Sequence, residues 1–163
     1  MTNQSNADPK RELLRHALAT VAYRGAKALR DAPANFSEFD PEKGVRPAGK
    51  LLAHMGDLFD WALSIAMGKQ AWHDSTPLPW SQEVGRFFAT LKAFDDYLAS
   101  GVPLPVSAEK LFQGPIADAL THTGQIAMLR RMAGCPMRGE NYFRAEITVG
   151  RVGKDQAEPS RQF

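Results

Sequence analysis

Residues 51–67 read LLAHMGDLFDWALSIAM. Leu51, Met55, Leu58, Phe59, Ala62, Ile65 and Ala66 recur at steps of three and four, the period of one helix face. His54, Asp57 and Asp60 break the apolar run. What remains falls short of the about 20 predominantly apolar residues a spanning helix needs. The stretch therefore predicts an amphipathic helix from near Pro47 to about Lys69, with Gly68 as a weak stop.

Three more helices follow from the same pattern. Upstream, Asp8 is an N-cap candidate with Pro9 at the first helical position, and a helix is expected from Pro9 to Leu29. Its apolar face is Leu14, Ala17, Leu18, Val21 and Ala22, and Ala32-Pro33 end it. Downstream, Ser81 reads as the cap of a helix reaching Ala99, with Val84, Phe87, Phe88, Leu91, Phe94 and Leu98 facing inward. A last helix runs from Ser107 to Met132. Gly114-Pro115 inside it predicts a kink or local irregularity, and Gly134 with Pro136 stops it. The loop 31–47 carries Phe36 and Phe39 to pack over the core. Ala145 to Val149 alternates weakly, as an extended segment would, and the last ten residues read as polar and loose.

Four amphipathic helices without a strong strand pattern predict an all-α four-helix bundle. A chain of 163 residues suits one domain: a core over about 9–135 and an irregular C-terminal tail over 136–163. One cysteine, Cys135, excludes an internal disulfide framework. Twenty basic residues against 18 acidic ones give a net charge of +2, too small an excess for a nucleic-acid binder. Arg130-Arg131, the densest basic pair, reads as cations offsetting a helix dipole. Met1 to Lys10 is polar and lacks the apolar region of a signal peptide, so a cytoplasmic protein is expected.

A bundle buries the stripe of each helix, so polar residues within a stripe need a reason. His54 lies three residues after Leu51 and four before Leu58. It is either a core histidine bonded to a carbonyl or hydroxyl, or a ligand. Asp118 and His122 are one turn apart, on a face continuing to Gln125 and Leu129 and back to Leu111. They form either a simple hydrogen-bonded pair or two ligands to one ion. Bundles build metal sites from facing helices, and two imidazoles with one carboxylate leave open coordination positions. No glutamate lies between Asp118 and His122 as a zincin peptidase would require, and no C-x-x-C-H occurs for a haem.

The segment Thr121-His122-Thr123-Gly124-Gln125-Ile126, with Arg130-Arg131 and Gly134 behind it, resembles the end of the last bundle helix in the DinB superfamily. Those proteins (DNA-damage-inducible proteins and their YfiT-like relatives) typically carry H-x-x-x-H followed by G-Q there. They also carry a second-helix histidine in a phrase much like Leu52-Ala53-His54-Met55. The resemblance spans about residues 10–135. It implies a four-helix bundle, often dimeric, whose three histidines hold a divalent metal: zinc, nickel or iron. His54 matches the second-helix histidine, and His122 matches the second member of the pair. The first member is Asp118 here, a departure that either completes the site with a harder ligand or marks loss of the metal.

The functions implied are a metal-dependent enzyme such as a thiol-dependent transferase or isomerase, acting on a small molecule, or a non-catalytic ligand-binding or interaction bundle. Arg144 to Gly153 is also like the tails of some of these relatives.

Other residues carry weaker readings. Asp57 and Asp60 read as a solvated helix face, with Asp57 able to orient His54. Asp95 reads as surface, or as a further member of the site. His16 and His73 read as surface or loop residues, and Cys135 as a passive thiol. Met55, Met67 and Met128 read as core filler. Trp61, Trp72 and Trp80, with Phe87 and Phe88, read as core or as the mouth of a pocket. Tyr142 and Phe143 are candidates for docking the tail on the bundle or on a second subunit.

Overall fold

The computed structural model describes residues 8–42 and 44–163; the polar stretch Met1 to Ala7 lies outside them. Helix α1 spans Pro9–Leu29, and the Asp8 carboxylate accepts from the Lys10 N–H at 3.0 Å as its cap. Helix α2 spans Ala48–Ala66 and α3 spans Trp80–Ala99. A last rod is divided into α4 (Ala108–Leu111), a π-helical turn (Phe112–Ile116) and α5 (Ala117–Met132). The π turn falls on Gly114-Pro115, where proline removes an N–H from the helical ladder. No strand occurs among the described residues, and no helix there is long and apolar enough to cross a membrane.

The helices pack in a ring: α1 on α3, α3 on α2, α2 on α5, and α5 on α1. Consecutive helices α1 and α2 therefore sit across the ring from each other. The loop joining them folds a 3-10 turn, Ala34–Glu38, over one end of the bundle. It buries Phe36 against Trp80 at 5.3 Å between ring centres, with Phe39 stacked behind Phe36. Phe59, Phe87, Phe94, Leu18, Leu52 and Leu98 fill the centre, so truncating one of these leucines costs about 2–5 kcal/mol.

Several expectations are corrected. Helix α2 ends at Ala66 rather than Lys69, because Gly68 turns the chain at φ +73° and the Lys69 N–H closes onto the Ser64 carbonyl. Helix α3 has Pro79, not Ser81, at its N-cap. Instead, buried Glu83 reaches back to accept from the Leu78 N–H at 2.8 Å. Asp95 is buried rather than surface, and Arg15 of α1 grips it with two bonds of 3.0 and 3.1 Å. Of the three methionines expected as core filler, only Met55 is core; Met67 and Met128 are exposed.

Arg130 is also buried. It donates to the Ala28, Arg30 and Cys135 carbonyls, tying the end of α5 to the end of α1. It thus serves two helix C-termini at once, which a purely local dipole reading misses.

The tail is docked rather than loose. Glu140, its side chain fully buried, accepts from the Tyr23 hydroxyl at 2.5 Å and from Lys27 at 2.6 Å. Glu140 and Gln162 form an isolated antiparallel bridge, and Val152 is buried in the core. Ala145 to Val149 forms no strand. Tyr142 packs edge-on against Tyr23 with the Arg24 guanidinium 4.3 Å above its ring, whereas Phe143 points into solvent.

Candidate metal centre

His54 projects from the second turn of α2, and Asp118 and His122 from the first two turns of α5. The three side chains meet. His54 Nε2 lies 3.7 Å from one Asp118 carboxylate oxygen, and His122 Nε2 lies 3.3 Å from the other. The imidazole rings stand edge to face at 4.9 Å. One donor atom from each residue lies within 4.8 Å of the other two. Metal–ligand bonds of about 2.1 Å in a tetrahedron separate neighbouring ligand atoms by about 3.4 Å, so a small closure around an ion fits this set.

The donor chemistry favours a cation here. The Gln125 amide oxygen lies 2.8 Å from His122 Nδ1 and accepts its proton. That tautomer leaves the Nε2 lone pair facing the Asp118 carboxylate. Lone pair and anion oppose one another unless a proton or a cation stands between them. The His54 pKa lies below its ordinary value, because burial and then the positive charge of Arg46 outweigh the attraction of Asp118. Neutral imidazole is the form that ligates.

The trio sits at the wall of an open cavity of about 560 Å³, a size suited to a small molecule. Leu51, Met128 and Leu129 supply apolar walls and Arg46 a positive one. His54 is held from behind: the Trp72 ring lies 5.5 Å from it and 5.9 Å from Trp61. Neither Trp61 nor Trp72 lines the cavity: Trp61 packs half-buried against the core and Trp72 is exposed, while Trp80, Phe87 and Phe88 belong to the core.

A second cluster, Asp57, Asp60 and His73, also brings three such atoms within 4.8 Å. Its carboxylates already have partners. Arg86 of α3 lies 3.0 Å from Asp57 and 3.8 Å from Asp60, and His73 lies 3.2 Å from Asp60. Asp57 also accepts from the Ser75 N–H at 2.9 Å and the Ser75 hydroxyl at 2.6 Å. Burial alone would raise the Asp57 carboxyl, but the Ser75 and Arg86 bonds hold it below the usual range.

Asp57 therefore neither lies on a solvated face nor orients His54. It pins the loop that carries Trp72. Gly56 makes room for this network, since a Cβ there would lie 2.9 Å from the Arg86 guanidinium. Asp95 is not part of the metal cluster.

Residue spacing did not reveal Arg46 or the Trp72 backing, both supplied by loops. Gln125 was readable in principle, because i, i+3 residues on a helix are neighbours. His16 is exposed and stands alone, and Cys135 is half-buried with its carbonyl held by Arg130. Compared with family models, curated proteins and solved structures, the chain matches none.

Proposed function

We propose that this chain is a divalent-metal protein of the DinB type whose ion is held by His54, Asp118 and His122. The observation that carries this reading is the convergence of two imidazole nitrogens and a carboxylate, from two helices, on one wall of an open cavity. Zinc, nickel or iron suits such a mixed nitrogen and oxygen set. A bound ion supplies Lewis acidity toward water or a thiol at its open positions. The chain's own residues do the rest: Gln125 fixes the His122 tautomer, Trp72 backs the His54 ring, and Leu51, Met128 and Leu129 line the cavity beside the site. Thiol transfer or isomerisation of a small molecule in a cytoplasmic homodimer is the reaction setting the resemblance suggests.

The test is metal content in protein made without a histidine tag. About one transition-metal ion per chain, lost in Asp118→Ala and His122→Ala, is the expected result. Turnover of a thiol with a model electrophile, abolished by the same substitutions, then separates an enzyme from a binder. Failure to bind zinc, nickel or iron under any loading condition would overturn the metal reading and leave Asp118 and His122 as a hydrogen-bonded pair in an interaction bundle.

A further inference from the structure

Five arginines, Arg11, Arg15, Arg86, Arg130 and Arg151, donate to carbonyls or carboxylates. Arg46 is exposed and, like Arg30, Arg131, Arg138, Arg144 and Arg161, makes no side-chain hydrogen bond or ion pair among the described residues; its place is on the wall of the cavity beside His54. Helix α2 begins two residues later, at Ala48, whose N–H donates to the Phe39 carbonyl at 3.4 Å. Among the described residues Asp118 is the one carboxylate on the cavity wall, and it is turned toward the two histidines. Val45, Met128 and Leu129 present apolar surface, and Val45 and Met128 are exposed to the cavity mouth. One cavity therefore combines an unpaired cation, an apolar wall and, beyond them, the candidate metal centre.

We propose that this cavity binds a small organic acid, with its carboxylate on Arg46 and its apolar body along Val45, Met128 and Leu129. The opposite end of the ligand then faces His54, Asp118 and His122. That orientation rests on the metal-site reading, whereas the carboxylate contact does not. Guanidinium matches a carboxylate with two parallel N–H donors, which lysine cannot reproduce. The apolar wall discriminates by chain length, because each buried methylene adds to binding.

The probes are hexanoate, hexanamide and acetate, titrated calorimetrically into the full chain, metal-free and zinc-loaded. Hexanoate is expected to bind about five- to tenfold more tightly than its neutral amide and more tightly than acetate. Arg46→Gln removes the preference over the amide, and Arg46→Lys restores part of it. Met128→Glu weakens hexanoate more than acetate. Circular dichroism of each variant checks that the bundle is intact. Hexanoate binding that is absent, or equal in the wild type and Arg46→Gln, overturns the proposal. Arg46-dependent hexanoate binding by a protein that takes up no metal upholds the proposal while the metal reading falls.

Discussion

Arg86 is the residue whose removal should cost the most outside the apolar core. It donates to Glu83 at 2.6 Å, to Asp57 at 3.0 Å and to the Ala53 carbonyl at 2.6 Å. The Glu83 and Asp57 side chains are 0% and 2% exposed, so water cannot replace the guanidinium. Arg86→Met keeps most of the aliphatic stem and deletes the charge. Two buried carboxylates then lose their cation, and breaking such a pair costs about 3–5 kcal/mol. Total stability for a domain is about 5–15 kcal/mol, so the loss is a large share of it. With a urea slope near 2 kcal/mol/M, the unfolding midpoint should fall by roughly 1.5–2.5 M. Adding Glu83→Gln and Asp57→Asn to Arg86→Met should recover part of that loss, because the stranded charges are gone. A midpoint shift below about 0.5 M, or no recovery in the combined variant, would refute the idea that Arg86 neutralises a buried anionic pair.

Four further outcomes follow from the same geometry. Tyr23→Phe removes a donor to buried Glu140 and should cost about 1–3 kcal/mol, read as a lower thermal midpoint and faster proteolysis of the tail. Gln125→Leu frees the His122 tautomer and should weaken zinc binding by about 10- to 100-fold while leaving the fold intact, measured by chelator competition. The Asp57 carboxyl is depressed in the folded protein, so its contribution is present above the ordinary value of 3.8 and is lost as pH falls through the lower folded value. Urea midpoints from pH 6 down to pH 2 should therefore drop more steeply in the wild type than in Asp57→Asn. Gly134→Ala places a side chain at φ +74° and should cost about 1 kcal/mol, visible as a lower thermal midpoint.

The helices were legible because each carries its own apolar period and its own punctuation. Asp8-Pro9 and Gly134 act on neighbours a few residues away, so local sequence contains the whole cause. The buried charges were not legible. Asp57, Asp95 and Glu140 find their cations on helices far away in sequence, and nothing local distinguishes them from residues of a solvated face. Arg130 looked like a terminal cation because its two acceptors on the α1 side, Ala28 and Arg30, are about a hundred positions away. The metal candidates fell between these cases. Asp118 and His122 share a helix, so spacing showed their pairing, whereas only the ring order of the helices brings His54 to them.

The π turn explains why that pairing is available to the cavity at all. From the end of the turn through α5 the buried positions are Ile116, Ala119, Thr123, Ile126, Leu129 and Arg130, and all but Leu129 fall in steps of three and four. The preceding buried residue of the rod outside the turn is Leu111, five positions before Ile116. A π turn closes its hydrogen bonds over five residues rather than four, and relative to an α-helix this shifts the register by about one residue, or about 100°. In an unbroken α-helix Leu111 and Asp118, seven apart, would lie on nearly one line. The structure instead buries Leu111 completely and leaves the Asp118 side chain 46% exposed. Gly114 and Pro115 thus let α4 seat Leu111 in the core while α5 turns Asp118 and His122 toward the open wall facing α2. The irregularity that costs the rod some of its hydrogen bonding is also what separates the packing face of α4 from the ligand face of α5.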